Sequence, residues 1–142
     1  MKKLLFFCAL ITVFSCSKDE EKQTDDPAND KILGLWYLAT KTVNSELQDF
    51  NNCDYSGNYT FFTDQTVDIK LYRSSSSGCV PTALFNSGWN NLGNGKYNIT
   101  GNLAQTIDMV TFSADGKTMT WRVQDGEEVI VTTFTREQMI LV

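Results

Sequence analysis

Histidine is absent from the 142 residues of this chain. Its absence removes Ser-His-Asp and Cys-His nucleophilic sites, histidine-ligated zinc and imidazole acid–base chemistry. Cations are scarce as well: 12 lysines and arginines stand against 17 acidic residues, a formal net charge of −5. That balance argues against nucleic acid as a partner, because a phosphate-backbone binder needs a clustered basic face. Long apolar runs are missing too. The longest, Leu4 to Phe14, covers about eleven residues, whereas a membrane-spanning helix needs roughly twenty. What remains is ordinary for a globular protein, with 42% hydrophobic and 12% aromatic residues. Wholesale disorder is excluded, and the length supports one compact domain with a tail.

The beginning of the chain is an export signal. Met1-Lys2-Lys3 is a short basic head before the apolar run, the pattern of a secretory signal peptide. The junction Val13-Phe14-Ser15-Cys16 resembles a bacterial lipobox, in which the cysteine becomes the acylated first residue of the mature protein. Phe14 departs from the small residue usual there. Ser17-Lys18-Asp19-Glu20-Glu21 in turn resembles the serine–lysine–acidic signal that sends Bacteroidota lipoproteins to the outer face of the outer membrane. The resemblance implies a signal peptide over 1–15, lipidation of Cys16 and a membrane partnership through the lipid anchor. The competing reading is an ordinary secreted protein with an incidental Cys16.

Of the 4 cysteines, Cys8 leaves with the signal and Cys16 takes lipid. Cys53 and Cys79 remain in an oxidising compartment and pair most simply with each other, two buried free thiols being the alternative. In the chain-entropy model, closing that loop removes roughly 3.5 kcal/mol of unfolded-state freedom. Between Ser17 and Asp30 no apolar residue is larger than alanine, while acidic residues abound. Residues 16–30 are therefore expected to form a flexible acidic tether, spanning roughly 20 Å as a random coil.

Beyond residue 30 the pattern is period two. Val67, Ile69 and Leu71 alternate with Asp68, Lys70 and Tyr72; Met119, Trp121 and Val123 alternate with Thr118, Thr120, Arg122 and Gln124. Turn signals such as Asp64-Gln65-Thr66, Asp115-Gly116 and Asp125-Gly126 separate the runs. Eight strands are expected, near 33–42, 58–63, 67–73, 83–90, 96–100, 106–112, 118–124 and 127–136. Short connections imply antiparallel hairpins, and closing the meander removes both exposed edges. The expected domain, 31–142, is thus all-β, an eight-stranded antiparallel up-and-down barrel. Two connections are long, Val43 to Gly57 and Ser74 to Thr82, and each carries one of the remaining cysteines. In up-and-down order both emerge at the same end, which becomes a looped mouth.

Gly34-Leu35-Trp36 on the first strand resembles the G-x-W signature of lipocalins, here of the small kind found in Bacteroidota lipoproteins. The resemblance implies that Trp36 plugs the closed end and that Arg136, after the last strand, covers it by cation–π contact. It covers residues 31–137 and lacks the helix that usually packs outside such barrels.

Tyr97 and Trp121 point inward by alternation, and core filling and a ligand wall are both open to them. Tyr55, beside Cys53 in the first long loop, is a candidate for recognition at the mouth, or simply part of a solvated loop. Asp64, Asp115 and Asp125 are turn formers; no convergent carboxylate pair and no metal cluster emerges, so catalysis is not expected. No cofactor is implied, and a monomer is expected. The chain reads as a surface-anchored lipoprotein whose barrel binds a small, mostly apolar ligand at the looped end. The alternative is a protein- or glycan-contacting module with a filled core.

Overall fold

The computed structural model describes residues 26–139; the signal segment, Cys16 and most of the tether lie outside them. Strands β1 (Gly34–Val43), β3 (Asn58–Phe61), β4 (Thr66–Ser75), β5 (Gly78–Gly93), β6 (Lys96–Thr100), β7 (Gln105–Ile107), β8 (Met109–Phe112), β9 (Thr118–Asp125) and β10 (Glu128–Thr135) follow one another around a single antiparallel wall. The spur β2 (Glu46–Leu47) pairs only with β1. Alternation drives the arrangement. Val67, Ile69, Ile99, Met119 and Trp121 are buried, while their strand neighbours Lys70, Thr100 and Arg122 face water.

The first and last strands pair along Tyr37↔Thr135 to Val43↔Ile130, closing one side. On the other side β7 and β8 are two halves of one strand that changes partner at Asp108. β7 lies on β6 through Tyr97↔Ile107, and β8 lies on β9 through Val110↔Trp121. The Asp108 N–H donates to the Arg122 carbonyl at 2.9 Å, and the Val110 N–H reaches the Gly95 carbonyl at 2.6 Å, so the seam is knitted across. With that bent strand counted once, eight strands enclose the interior, as the alternation implies.

Two features depart from expectation. The segment Ser74 to Thr82 is not a loop: β4 and β5 continue as a ladder to Ser75↔Gly78, leaving a two-residue turn. A run of serines has no apolar alternation, so backbone pairing alone extends the hairpin, with Ser75 Oγ donating to the Gly78 carbonyl at 2.8 Å. Pro81, which has no N–H to give, is accommodated where the register shifts between Leu71↔Ala83 and Tyr72↔Pro81. The other departure is at the start of the domain. Asp26 to Asp30, assigned by composition to the tether, is part of the fold. Pro27–Asn29 form a 3-10 turn capped by the Asp26 carboxylate, which accepts the Ala28 N–H at 3.0 Å. Asp30 accepts the Tyr97 hydroxyl at 2.7 Å and an Asn91 amide N–H at 2.7 Å. The acidic residues there are capping and latching groups rather than solvated charge.

A bulge on β1 matters most for the site. Leu38 pairs with Phe134, Thr40 with Thr133 and Lys41 with Thr132, so Ala39 is an extra residue in the ladder. Strict alternation from the buried Trp36 would put Thr40 inside and Lys41 outside. After the bulge, Thr40 is exposed and Lys41 faces the interior.

Candidate functional site

The lower half of the barrel is filled. Ile32, Trp36, Phe61, Trp89, Tyr97 and Phe134 form its buried core with the aliphatic side chains between them. The Trp36 indole N–H donates to the Ile32 carbonyl at 2.6 Å, and that of Trp89 to the Phe62 carbonyl at 3.1 Å. Arg136 stacks on Trp36 with its guanidinium carbon 3.5 Å from the ring centroid. The same guanidinium donates to the carbonyls of Leu35 and Lys31 at 3.2 and 3.4 Å. Burial pulls the Arg136 pKa down. Gly34 has φ +96°, and a Cβ there would lie 2.8 Å from Arg136 Nη1, so glycine leaves the room the arginine uses.

The upper half holds a cavity of about 280 Å³. Small-molecule pockets run from roughly 300 Å³ upward, so this one suits a compact ligand. Tyr59 and Trp121 form its floor, edge-to-face at 5.1 Å, with Phe134 packed beneath both at 5.2 and 4.4 Å. Leu38, Leu71, Val123 and Ile130 supply apolar wall. One transverse row crosses three strands, Lys41↔Thr132 on β1 and β10 and Thr132↔Trp121 on β10 and β9. Gln105 enters from the seam where β7 has left β9. Burial pushes the Tyr59 pKa up to about 12.

Phe50 and Asp54 complete the cavity from the first long connection. That connection is held in place from within and from outside. Asn51 Oδ1 accepts the Cys53 N–H at 2.8 Å, and Asp54 Oδ2 accepts the Asn51 N–H at 2.8 Å. Cys53 and Cys79 form a disulfide, with Cα atoms 5.2 Å apart, which ties the connection to β5. The cysteine pairing inferred from the count is therefore the one the structure contains.

The three residues singled out for ligand contact separate. Trp121 lines the cavity. Tyr97 does not: its ring is packed into the closed half beside Trp89, at 6.3 Å, and its hydroxyl is taken by Asp30. Burial, then the hydrogen bond to Asp30, raises its pKa strongly. Tyr55 stands behind the wall, its ring edge-on to Phe50 at 5.6 Å, and it is Phe50 that reaches the interior. Sequence reasoning missed Lys41, Tyr59, Gln105 and Thr132. Tyr59 and Thr132 were readable from alternation within their strands; Lys41 was not, because the bulge leaves no mark in composition.

Among the described residues no three metal-ligating side chains converge. The turn carboxylates Asp64 and Asp115 have pKa values lowered chiefly by hydrogen bonds from Thr66 and from Ser113, as turn-building groups do.

No protein-family model matches the chain, and no curated protein matches it. Several solved structures are similar to it. The bovine lipocalin allergen Bos d 2 is 15% identical, with 82% of this chain and 78% of that one covered and a TM-score of 0.44. The siderocalin Ex-FABP is 14% identical over 79% of this chain and 78% of that one, TM-score 0.46. Aphrodisin, a sex pheromone from female hamster, is 10% identical over 76% of each chain, TM-score 0.41. Each is a loose likeness of overall shape.

Proposed function

We propose that this protein is a lipid-anchored binding protein of the bacterial outer membrane that holds a small, mostly apolar molecule in the open half of its barrel. The supporting observation is the cavity of about 280 Å³, walled by Leu38, Phe50, Leu71, Trp121, Val123 and Ile130 above a solid lower half. A filled core was the premise of the protein- or glycan-contacting alternative, and the cavity removes that premise. The anchor rests on the lipobox-like Cys16 and the acidic stretch after it, and the same stretch supports a position at the cell surface. Binding rather than catalysis is favoured because, among the described residues, the cavity presents a single carboxylate, Asp54.

Native mass spectrometry of the protein purified from its own host tests the binding reading. A discrete small-molecule mass retained by the wild type, and lost when Trp121→Ala and Leu71→Glu alter the cavity, is the expected result. A bare protein mass under conditions that keep other lipid-binding proteins loaded overturns it. Labelling with a radioactive fatty acid tests the anchor. Label should enter the wild type and not Cys16→Ser; equal label in both removes the anchor and leaves the barrel untouched.

A further inference from the structure

The bulge at Ala39 turns a lysine towards a cavity whose wall is mostly apolar and aromatic, with Asp54, Gln105 and Thr132 as its other polar side chains besides the Tyr59 phenol. Lys41 is half-buried at the cavity wall, within the row that also holds Thr132 and Trp121. Among the described residues, Asp54 is the only carboxylate lining the cavity. That group is directed into its own loop, where Oδ2 accepts the Asn51 N–H. No ion pair between Asp54 and Lys41 forms among the described residues. Two hydroxyls share the space. Thr132 sits directly across the ladder from Lys41, and Tyr59 rises from the floor. Neither hydroxyl makes a hydrogen bond among the described residues, and neither is a sealed, stranded atom, a condition found instead at Ser87 Oγ. Both therefore face the cavity.

We infer that the ligand is an amphipathic acid, its anionic group met by Lys41 with Thr132 and Tyr59 as hydrogen-bond donors, and its apolar part laid against Trp121, Leu38 and Leu71. The inference rests on the cavity being a ligand site and adds the chemical class. Lys41 can only donate, the Thr132 and Tyr59 hydroxyls can donate, and a carboxylate brings acceptors alone. A bulge that only relieved strain would have no reason to aim a cation inward, whereas re-aiming one side chain towards a site is a recurrent use of bulges.

The test compares two probes of nearly equal size and opposite character, phenylbutyrate and phenylbutanol. Calorimetry is run at neutral pH on the full chain in phospholipid nanodiscs, with empty nanodiscs as reference. The acid should bind the wild type at least about fivefold more tightly than the alcohol. In Lys41→Gln its dissociation constant should rise about tenfold, while that of the alcohol moves less than about twofold, the range expected for losing one charge-assisted hydrogen bond. Lys41→Arg should keep the preference. Equal binding of acid and alcohol by the wild type overturns the inference without any variant and leaves the cavity reading standing. So does a Lys41→Gln variant that binds both probes as the wild type does. Binding of neither probe overturns the inference and the cavity reading together.

Discussion

Trp36 and Trp121 divide the barrel between two kinds of interior. Around Trp36 the polar groups of the large rings have partners: its indole N–H is bonded to Ile32, its face is covered by Arg136, and Tyr97 in the same half is bonded to Asp30. Around Trp121 the space is open, and the side chains of Lys41, Tyr59 and Thr132, which line it, make no hydrogen bond among the described residues. One wall runs through both halves, so strand pairing does not make the difference. The closed half receives the segments that flank the sheet, Asp30 to Leu33 before β1 and Arg136 after β10, which plug it. The open half receives one long connection, between β1 and β3, fastened to β5 by the disulfide. Stability should therefore reside at one end and adaptability at the other.

The comparison breaks most readily at Trp36. Trp36→Ala removes a fully buried ring and strands Arg136, and should cost about 3–5 kcal/mol, visible as a lower urea midpoint. A loss below about 1 kcal/mol would mean that the closed end is not where the fold is held. Next comes the rim. Replacing both cysteines, Cys53→Ser with Cys79→Ser, frees a loop whose ends are 26 residues apart in sequence. The expected loss is about 2–4 kcal/mol, with strand content by circular dichroism unchanged because the staple lies outside the core. Collapse of the strand signal would show that the rim shares in holding the barrel together.

The same division decides what the sequence could show. Period-two alternation exposed the strands that have one wet and one dry face, such as Val67 to Leu71 and Met119 to Val123, and with them the closed barrel. The cysteine count exposed the staple. Alternation failed where packing does not choose the residue. The serines of the β4–β5 turn are paired by backbone alone, and Asp26 and Asp30 look like tether until their hydrogen bonds are seen. It left core and ligand wall both open for Tyr97, because an inward direction does not say at which height along the barrel a side chain lies; the structure puts it in the core. Lys41 is the sharpest case. One inserted residue reverses the parity of the strand, and nothing in the letters Leu38-Ala39-Thr40-Lys41 announces it.

The smallest effect at neutral pH, and the most informative about the open half, is expected at Tyr59. In the unfolded chain this phenol loses its proton near 10.0; burial holds the folded one to about 12. Between those values the native state binds a proton that the unfolded state has released, so stability falls as pH rises through that window and is unaffected below it. Tyr59→Phe deletes a hydroxyl with no hydrogen bond to lose among the described residues. It should shift neutral stability by no more than about 1 kcal/mol and make the decline of urea midpoint with alkaline pH shallower. Part of the slope should persist through Tyr97, whose pKa is also raised, by burial and by Asp30. If Tyr59→Phe leaves the alkaline slope as steep as in the wild type, the phenol is solvated in the folded state and the cavity is full of water. The two halves would then differ in hydration as well as in packing, and an entering ligand would have to displace that water before it could meet Lys41.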